Sequence, residues 1–287
     1  RYQLHPRVAL RLDVQSTMER QRWPVDGLFN GFIDNVATQG FVETTVRAAG
    51  GQWRLRGFSQ RFAYQYRQAT GLAPIAGSGD SLEQREAMDR MLLAYSTTKG
   101  RQTVDVGTQW SDRHLVAPAR ITGDQVSDRV FETWVRDAFA LGRVRVTAGV
   151  RQTEGSLWGS ATNPSLGVSG PLGGGIQWRA NRARGFRAPG FKDIRYTFTN
   201  AAGGYVIEGN PQLTPESSWS TSMGVTWRPR EAVNVDVEWY RTDVRDMIDT
   251  RFQGVNAAGL QRFTNVNLAR ARSEGIEVNL DGQWQGA

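Results

Sequence analysis

Apolar and polar residues alternate with a period of two in stretch after stretch of this chain, and that rhythm limits the fold more than any other feature. Val8, Leu10, Leu12 and Val14 share one side of a strand while Arg11, Asp13 and Gln15 share the other. Val144, Val146, Ala148 and Val150 oppose Arg143, Arg145, Thr147 and Arg151. Trp219, Met223, Val225 and Trp227 oppose Ser218, Ser220, Ser222 and Thr226; Val233, Val235, Val237 and Trp239 oppose Asn234, Asp236 and Glu238; Ile276, Val278 and Leu280 oppose Glu277, Asn279 and Asp281. Successive side chains of a strand point to opposite faces, so each stretch presents one apolar and one wet face.

About twelve such strands are expected, near 4–17, 38–48, 52–67, 85–96, 100–112, 127–139, 143–153, 162–169, 175–187, 214–228, 232–245 and 263–282. In 53–66 the apolar residues change parity, from Trp53 and Leu55 to Phe58, Phe62, Tyr64 and Tyr66, which predicts a bulge near Gly57. The segment LEQREAMDRMLLAY from Leu82 is the best helical competitor and is assigned to a strand. Connections come in two sizes. Turn formers mark short ones at Ala49-Gly50-Gly51, Lys99-Gly100, Gly142, Pro171-Leu172-Gly173-Gly174 and Pro229-Arg230. Long ones fall near 18–37, 68–84, 112–127, 188–213 and 246–262, with one of middle length near 154–161. Short turns alternating with long loops are the connection pattern of outer-membrane barrels.

A soluble antiparallel sandwich with one solvated face also alternates. It predicts doubly buried central runs, and these are scarce. The tryptophans favour a membrane. Trp219 and Trp227 share a face eight residues apart, about 21 Å along the normal at ~3.4 Å per residue and a tilt of about 40°. That spacing suits aromatic girdles at the rims of an apolar band about 25 Å tall. Trp239 on the next strand is the third girdle candidate, expected back at the outer rim.

Composition removes other classes. The 287 residues contain no cysteine, which excludes disulfides, cysteine-ligated zinc and a thiol nucleophile. Of the 35 basic residues only Lys99 and Lys192 are lysines. The arginines are dispersed among 28 acidic residues rather than gathered in a patch, so nucleic acid is not an expected partner. The chain has neither an 18-residue apolar run nor a leader-like start. It opens and stops beside strands, as a piece of a longer protein is expected to.

Two proline phrases interrupt the rhythm. Arg184-Gly185-Phe186-Arg187-Ala188-Pro189 ends one strand, and Gly209-Asn210-Pro211 with Leu213, Pro215 and Glu216 precedes the next. Proline cannot donate to a ladder, and lipid-facing backbone cannot stay unpaired, so the phrases should bracket a loop outside the membrane. Together they closely resemble the "GFRAP … GNPxLxPE" signature of TonB-dependent outer-membrane receptors. Asn163-Pro164-Ser165-Leu166 upstream, and Asn265, Ala271 and Gly275-Ile276-Glu277-Val278 downstream, are similar to further elements of that family. Thr214 departs from its usual Lys or Arg, and Lys192-Asp193-Ile194 from its frequent Glu-Leu-Tyr.

The resemblance implies an all-β, antiparallel, up-and-down transmembrane barrel of 22 strands. Residues 1–287 would be part of the barrel domain, an open curved sheet of about twelve strands, with an N-terminal plug, a TonB-interacting segment and the final strands outside it. It implies energised uptake of a scarce small molecule, such as a ferric siderophore, in the outer membrane of a Gram-negative bacterium. The implied partners are outer-membrane lipid, the TonB complex and that ligand. A passive pore or adhesive surface barrel is the alternative, and a soluble carbohydrate-binding sandwich the third reading.

No catalytic constellation, cofactor site or metal site is expected. His5 and His114 are lone histidines. Asp236 with Glu238, and Asp243 with Asp246, suit solvated wall positions better than paired acid–base work. The glycine run 173–175 is a turn with no helix behind it. Arg143, Arg145, Arg151, Arg179, Arg182 and Arg184 are expected in the lumen, paired with acids or forming a path for anions. Trp158, Tyr196, Phe198 and Tyr205 are the candidate ligand-vestibule aromatics.

Overall fold

Sequence neighbours pair with one another almost throughout the computed structural model, which describes residues 2–24, 30–69, 82–118, 120–230 and 233–282. Among the described residues fifteen strands form one sheet. Three are four residues long: β1 (Tyr2–His5), β11 (Thr197–Asn200) and β12 (Tyr205–Glu208). The other twelve make the wall: β2 (Val8–Pro24), β3 (Asn30–Ala48), β4 (Gly51–Ala69), β5 (Leu82–Lys99), β6 (Gln102–Val116), β7 (Gln125–Leu141), β8 (Val144–Gly155), β9 (Gly159–Gly173), β10 (Ile176–Arg187), β13 (Glu216–Arg230), β14 (Val233–Val255) and β15 (Gln261–Gly282). One short helix, α1 (Phe191–Arg195), follows β10. The strand order runs β1 to β10, then β13, β14, β15, β12 and β11. The wall is an antiparallel meander; only β12 joins in parallel, along Gln261–Thr264 of β15. β2 and β15 do not pair with each other, so the sheet is open.

The turns between β3 and β4, β5 and β6, β7 and β8, and β9 and β10 lie at one end. They rest on left-handed residues: Ala49 and Gly50 (φ 53° and 73°), Gly100 (57°), Gly142 (63°), and Gly174 and Gly175 (58° and 75°). At Ala49-Gly50 and Gly174-Gly175 two successive positive φ values match the twist of the flanking strands, so two residues suffice for the hairpin; the turns at Gly100 and Gly142 use a single left-handed glycine. The connection after β10 lies at the opposite end, as meander parity requires. The expected connections near 18–37, 68–84 and 228–232 include residues 25–29, 70–81 and 231–232, which lie outside the described residues.

Cross-strand register sorts the two faces. One row reads Val146, Val168, Ala180, Met223, Trp239 and Ile276 from β8 to β15. The adjacent row, on the opposite face, reads Arg145, Ser169, Arg179, Gly224, Glu238 and Glu277. The apolar face is open to its surroundings, with Ile276 69%, Val278 65% and Leu280 73% exposed. In water this arrangement is inside-out; a bilayer rewards it. The polar face is concave, with a hollow of about 680 Å³ lined by Arg54, Asp105, Trp134, Arg136, Arg151 and Asn163.

Several expectations need correction. The strand expected at 4–17 is two strands, because the chain turns at Pro6-Arg7. Wall strands also run further than the apolar alternation reaches. β2 continues to Pro24, and β14 and β15 pair up to Val255 and Gln261, so most of 246–262 is ladder rather than loop. Beyond the membrane both faces are wet, and pairing goes on without an apolar side to betray it.

No bulge occurs at Gly57. Pairing of β4 with β3 and β5 is unbroken through it. Phe58 instead belongs to the polar face, with the Arg90 guanidinium 5.9 Å from its ring centre and Arg56 4.0 Å from that of its partner Phe41. Cation–π cover makes an aromatic tolerable on a wet face.

Arg182 and Arg184 are not in the lumen. They have the parity of Trp178 and Ala180, opposite to Arg179, and therefore face outward. Arg143 sits in the turn before β8 rather than on a strand face.

Candidate functional site at the outer end

Pro189, which cannot donate to the ladder, ends β10, and α1 begins at once. The Gly190 N–H donates to Asp193 Oδ2 at 2.8 Å, satisfying a donor at the start of the helix. Phe191 and Ile194 are buried. Phe191 packs with Leu115, Ala117, Ile121 and Val126 at the outer end of the β6–β7 pair. Arg113 lies 4.8 Å from its ring centre, and Arg113, Gln60 and Arg90 share the polar face. The chain leaving β10 thus turns inward and crosses to the inner side of β4–β6.

The second phrase brings it back. The Gly209 N–H donates to the Tyr196 carbonyl at 2.7 Å and Asn210 N–H to the Asp193 carbonyl at 2.8 Å. A Cβ on Gly209 would stand 2.6 Å from the backbone of Ile194 and Arg195, so glycine is required for this close approach. The Asn210 side chain donates to the Asn265 carbonyl at 3.0 Å and accepts from Gln212 N–H at 2.9 Å. Asn265 Nδ2 reaches the Asp193 carbonyl at 3.3 Å, and Asn267 bonds both N–H and C=O of Thr214 at 2.9 Å. Leu213 is buried. β12 then adds to β15, tying the returning segment to the far side.

Ion pairs close the base. Arg187 contacts Glu216 at 2.7 Å and Asp193 at 3.4 Å, and Glu216 also accepts the Ile248 N–H at 2.8 Å. Arg187 holds the Glu216 carboxyl below the usual range for a glutamate, against the opposing effect of burial. The residues of the two proline phrases therefore form a strap across the mouth of the concave side. Farther along β15, Gly275 leaves room for the Tyr240 ring, whose Oη would be 2.7 Å from a Cβ there, and Glu277 lies on the polar face.

The four vestibule aromatics fall into two places. Trp158 is 7% exposed, with its indole N–H 3.2 Å from Asp128 Oδ2 and its ring 5.3 Å from Phe186. Tyr196 Oη accepts from Arg120 at 2.9 Å. Both are fixed within the packed base of the loops. Phe198 and Tyr205 lie across one hairpin, 6.2 Å apart, and Tyr205 meets Phe263 edge-on at 6.4 Å, which meets Phe252 at 5.6 Å. Phe252 and Phe263 were not singled out from the sequence. Continuing the β14–β15 ladder through 246–262 pairs them directly.

On the wall, Arg179 reaches across two strands to Asp236 at 2.8 Å, Thr226 at 3.0 Å and Glu238. Gly224 lies between and gives the guanidinium its space. Arg136 pairs with Asp105 at 2.6 Å, and Arg151 lies 5.7 Å from the Trp134 ring centre. Trp219, Trp227 and Trp239 share the outward face, but Trp239 does not return to the outer rim: it stands opposite Met223, midway between the other two along the ladder, within the apolar band. His5 accepts the Arg7 N–H at 3.2 Å in the first turn. His114 faces outward opposite Ala87 and Ser127. Among the described residues no group of three potential metal ligands converges.

Comparisons with known proteins agree with this architecture. The family model described as TonB dependent receptor-like, beta-barrel, matches residues 8–287. The vitamin B12 transporter BtuB of Vibrio vulnificus is 30% identical over 146 residues, 50% of this chain and 21% of that protein. The ferric enterobactin receptor PirA of Pseudomonas aeruginosa is 28% identical over 148 residues, 47% of this chain and 20% of that protein. The crystal structure of the siderophore receptor PirA from Pseudomonas aeruginosa superposes with a TM-score of 0.76 at 18% identity, covering 96% of this chain and 57% of that one. The matched part of this chain thus spans about a fifth of the curated relatives and just over half of the solved receptor. With the family model matched along nearly the whole sequence, the chain belongs to the TonB-dependent receptor-like β-barrel family and is an outer-membrane protein of Gram-negative bacteria.

Proposed function

We propose that this chain is part of the wall of a receptor that captures a scarce small molecule at its outer end and imports it with energy from the TonB complex. A ferric siderophore is the ligand class favoured. The observation that carries the reading is the strap: a glycine, two asparagines and the Arg187–Glu216 ion pair hold the 188–215 connection inward, across the polar hollow, rather than letting it splay into solvent. A loop held there can line an entry path and change it when ligand arrives. The guanidinium groups of Arg54, Arg136 and Arg151 around the hollow suit an anionic chelate. Relatives named as a vitamin B12 transporter and a ferric enterobactin receptor support uptake of a large chelate, and none of the named relatives is an enzyme.

In this reading residues 1–287 are a partial barrel domain. A plug, a TonB-contacting segment and further strands of an expected 22 lie outside them; the open sheet and the greater length of the relatives support it. Outer-membrane lipid surrounds the apolar face. Phe198 and Tyr205, with Phe252 and Phe263, offer aromatic surface to the ligand, while Trp158 and Tyr196 act beneath them by holding the loops.

The test is uptake of iron-55 carried by a panel of siderophores, with labelled cobalamin alongside, in cells producing the full-length protein. Energised uptake of a siderophore that stops when TonB is deleted supports the proposal. Equal entry with and without TonB favours a passive pore, and selective uptake of cobalamin alone replaces the ligand class.

A further inference from the structure

The outward face changes character abruptly above its apolar band. Up to the row of Met223, Trp239 and Ile276 it is aliphatic and aromatic. The next positions of the same parity are Arg182 and Arg184 on β10, Thr221 and Trp219 on β13, Arg241 and Asp243 on β14, and Glu274 and Arg272 on β15. Arg245 and Arg270 stand just beyond. Arg182, Trp219, Arg241, Arg245, Arg270 and Arg272 line a depression of about 400 Å³.

Its charge is not balanced locally. Asp243 sits between Arg241 at 2.8 Å and Arg272 at 2.7 Å. Arg182 lies 5.0 Å from the Trp219 ring centre. Arg184, Arg245 and Arg270 pair with no carboxylate among the described residues. At the corresponding position on β4–β7 the outward charges cancel, with Arg61 against Asp89 at 2.9 Å and Arg129 against Asp112 at 3.8 Å. The excess of arginine is therefore local to β10–β15, not a ring around the wall.

Position and chemistry together select the occupant. The patch adjoins the lipid-covered band, at the level marked by Trp219, where tryptophan prefers the headgroup region. An arginine fork matches phosphate oxygens in two-point hydrogen bonds, and the lower dielectric at a membrane boundary strengthens the attraction between the two charges. A molecule seated here would have phosphate against guanidinium and acyl chains against Met223, Trp239 and Ile276. We propose that this patch is a binding site for a phosphorylated lipid headgroup of the outer leaflet. The inference rests on the membrane barrel and its faces, not on the identity of the imported ligand.

The test uses the full-length receptor in detergent and native mass spectrometry. The probes are a bisphosphorylated acylated disaccharide and the same lipid after phosphatase treatment. The wild type should retain the phosphorylated lipid at least tenfold better than the dephosphorylated one. The triple variant Arg182→Gln, Arg245→Gln, Arg270→Gln should lose that preference, while Arg61→Gln keeps it. Should the triple variant fail to fold, as judged by heat-modifiable migration, single Arg245→Gln and Arg270→Gln variants and the wild-type comparison still decide. Equal retention of the two lipids by the wild type overturns the proposal. So does an undiminished preference in the arginine variants, or full displacement by millimolar inorganic phosphate, which would make a soluble anion the occupant.

Discussion

Arg187 and Glu216 meet at 2.7 Å where β10 and β13 begin to part, and the same carboxylate takes the Ile248 N–H at 2.8 Å. One acidic group thus ties the start of the strap, its end and the neighbouring β14. The glutamate side chain is 12% exposed and the arginine 52%, so solvent screening limits the ion pair itself. Replacing Glu216→Gln should weaken the strap by about 1 kcal/mol, mostly through the charge-assisted hydrogen bonds. Limited proteolysis within 196–206 should speed up about fivefold, while the barrel keeps its heat-resistant migration. Collapse of the barrel would show that the pair holds the wall and not the loop.

The same group makes the strap acid-sensitive. Its folded pKa is depressed by Arg187, so the unfolded or released form binds protons more readily. Its stabilisation is then full above the unfolded value of about 4.3 and is lost as pH falls through the folded value. Hydrogen exchange of 188–215 should be unchanged from pH 8 to pH 5 once corrected for intrinsic rates, and accelerate below pH 4. In Glu216→Gln the extra acceleration should vanish.

Gly209 tests the strap without touching a charge. Its Cβ would lie 2.6 Å from Ile194 C and Arg195 N, and backbone cannot yield as a side-chain tip can. Gly209→Ala should displace the returning segment from α1. The expected outcome is at least tenfold weaker siderophore binding by the full-length receptor with unchanged resistance of the barrel to heat in detergent. Unchanged binding would separate the strap from capture.

The two faces predict opposite responses to one substitution. Val237 and Ser222 belong to opposite faces of adjacent strands. Val237→Arg puts a guanidinium into the apolar band and should cost about 2–4 kcal/mol in bilayers, the range for arginine near the midplane of such barrels. Ser222→Arg enters the wet hollow and should cost well under half of that. Urea unfolding in lipid vesicles compares them directly.

How far the sequence revealed this molecule depends on where lipid touches it. All twelve wall strands were legible, because lipid on one side and water on the other write alternation into Val144–Val150 or Val233–Trp239. The outer extensions of β2, β14 and β15 were not, because water on both sides leaves no such trace. Parity in RANRARGFR already separated Arg179 from Arg182 and Arg184; only strict counting shows it, since all three are arginines on one strand. The proline phrases located the strap but not its inward fold. That depends on contacts between residues far apart in the chain, such as Phe191 with Leu115 and Asn210 with Asn265.

The central claim is that one face of this wall meets lipid and the other a wet hollow, up to a boundary below Arg241. These 287 residues contain no cysteine, so single cysteines placed along 233–243 of the full-length protein in vesicles can be read one by one. A bilayer-confined quencher and a water-soluble maleimide should report opposite periods of two. Val235→Cys, Val237→Cys and Trp239→Cys should be quenched from lipid, Asn234→Cys, Asp236→Cys and Glu238→Cys labelled from water, and Asp243→Cys labelled from water despite its outward parity. Valine positions shielded from both reagents would place them in a dry protein core and contradict the account.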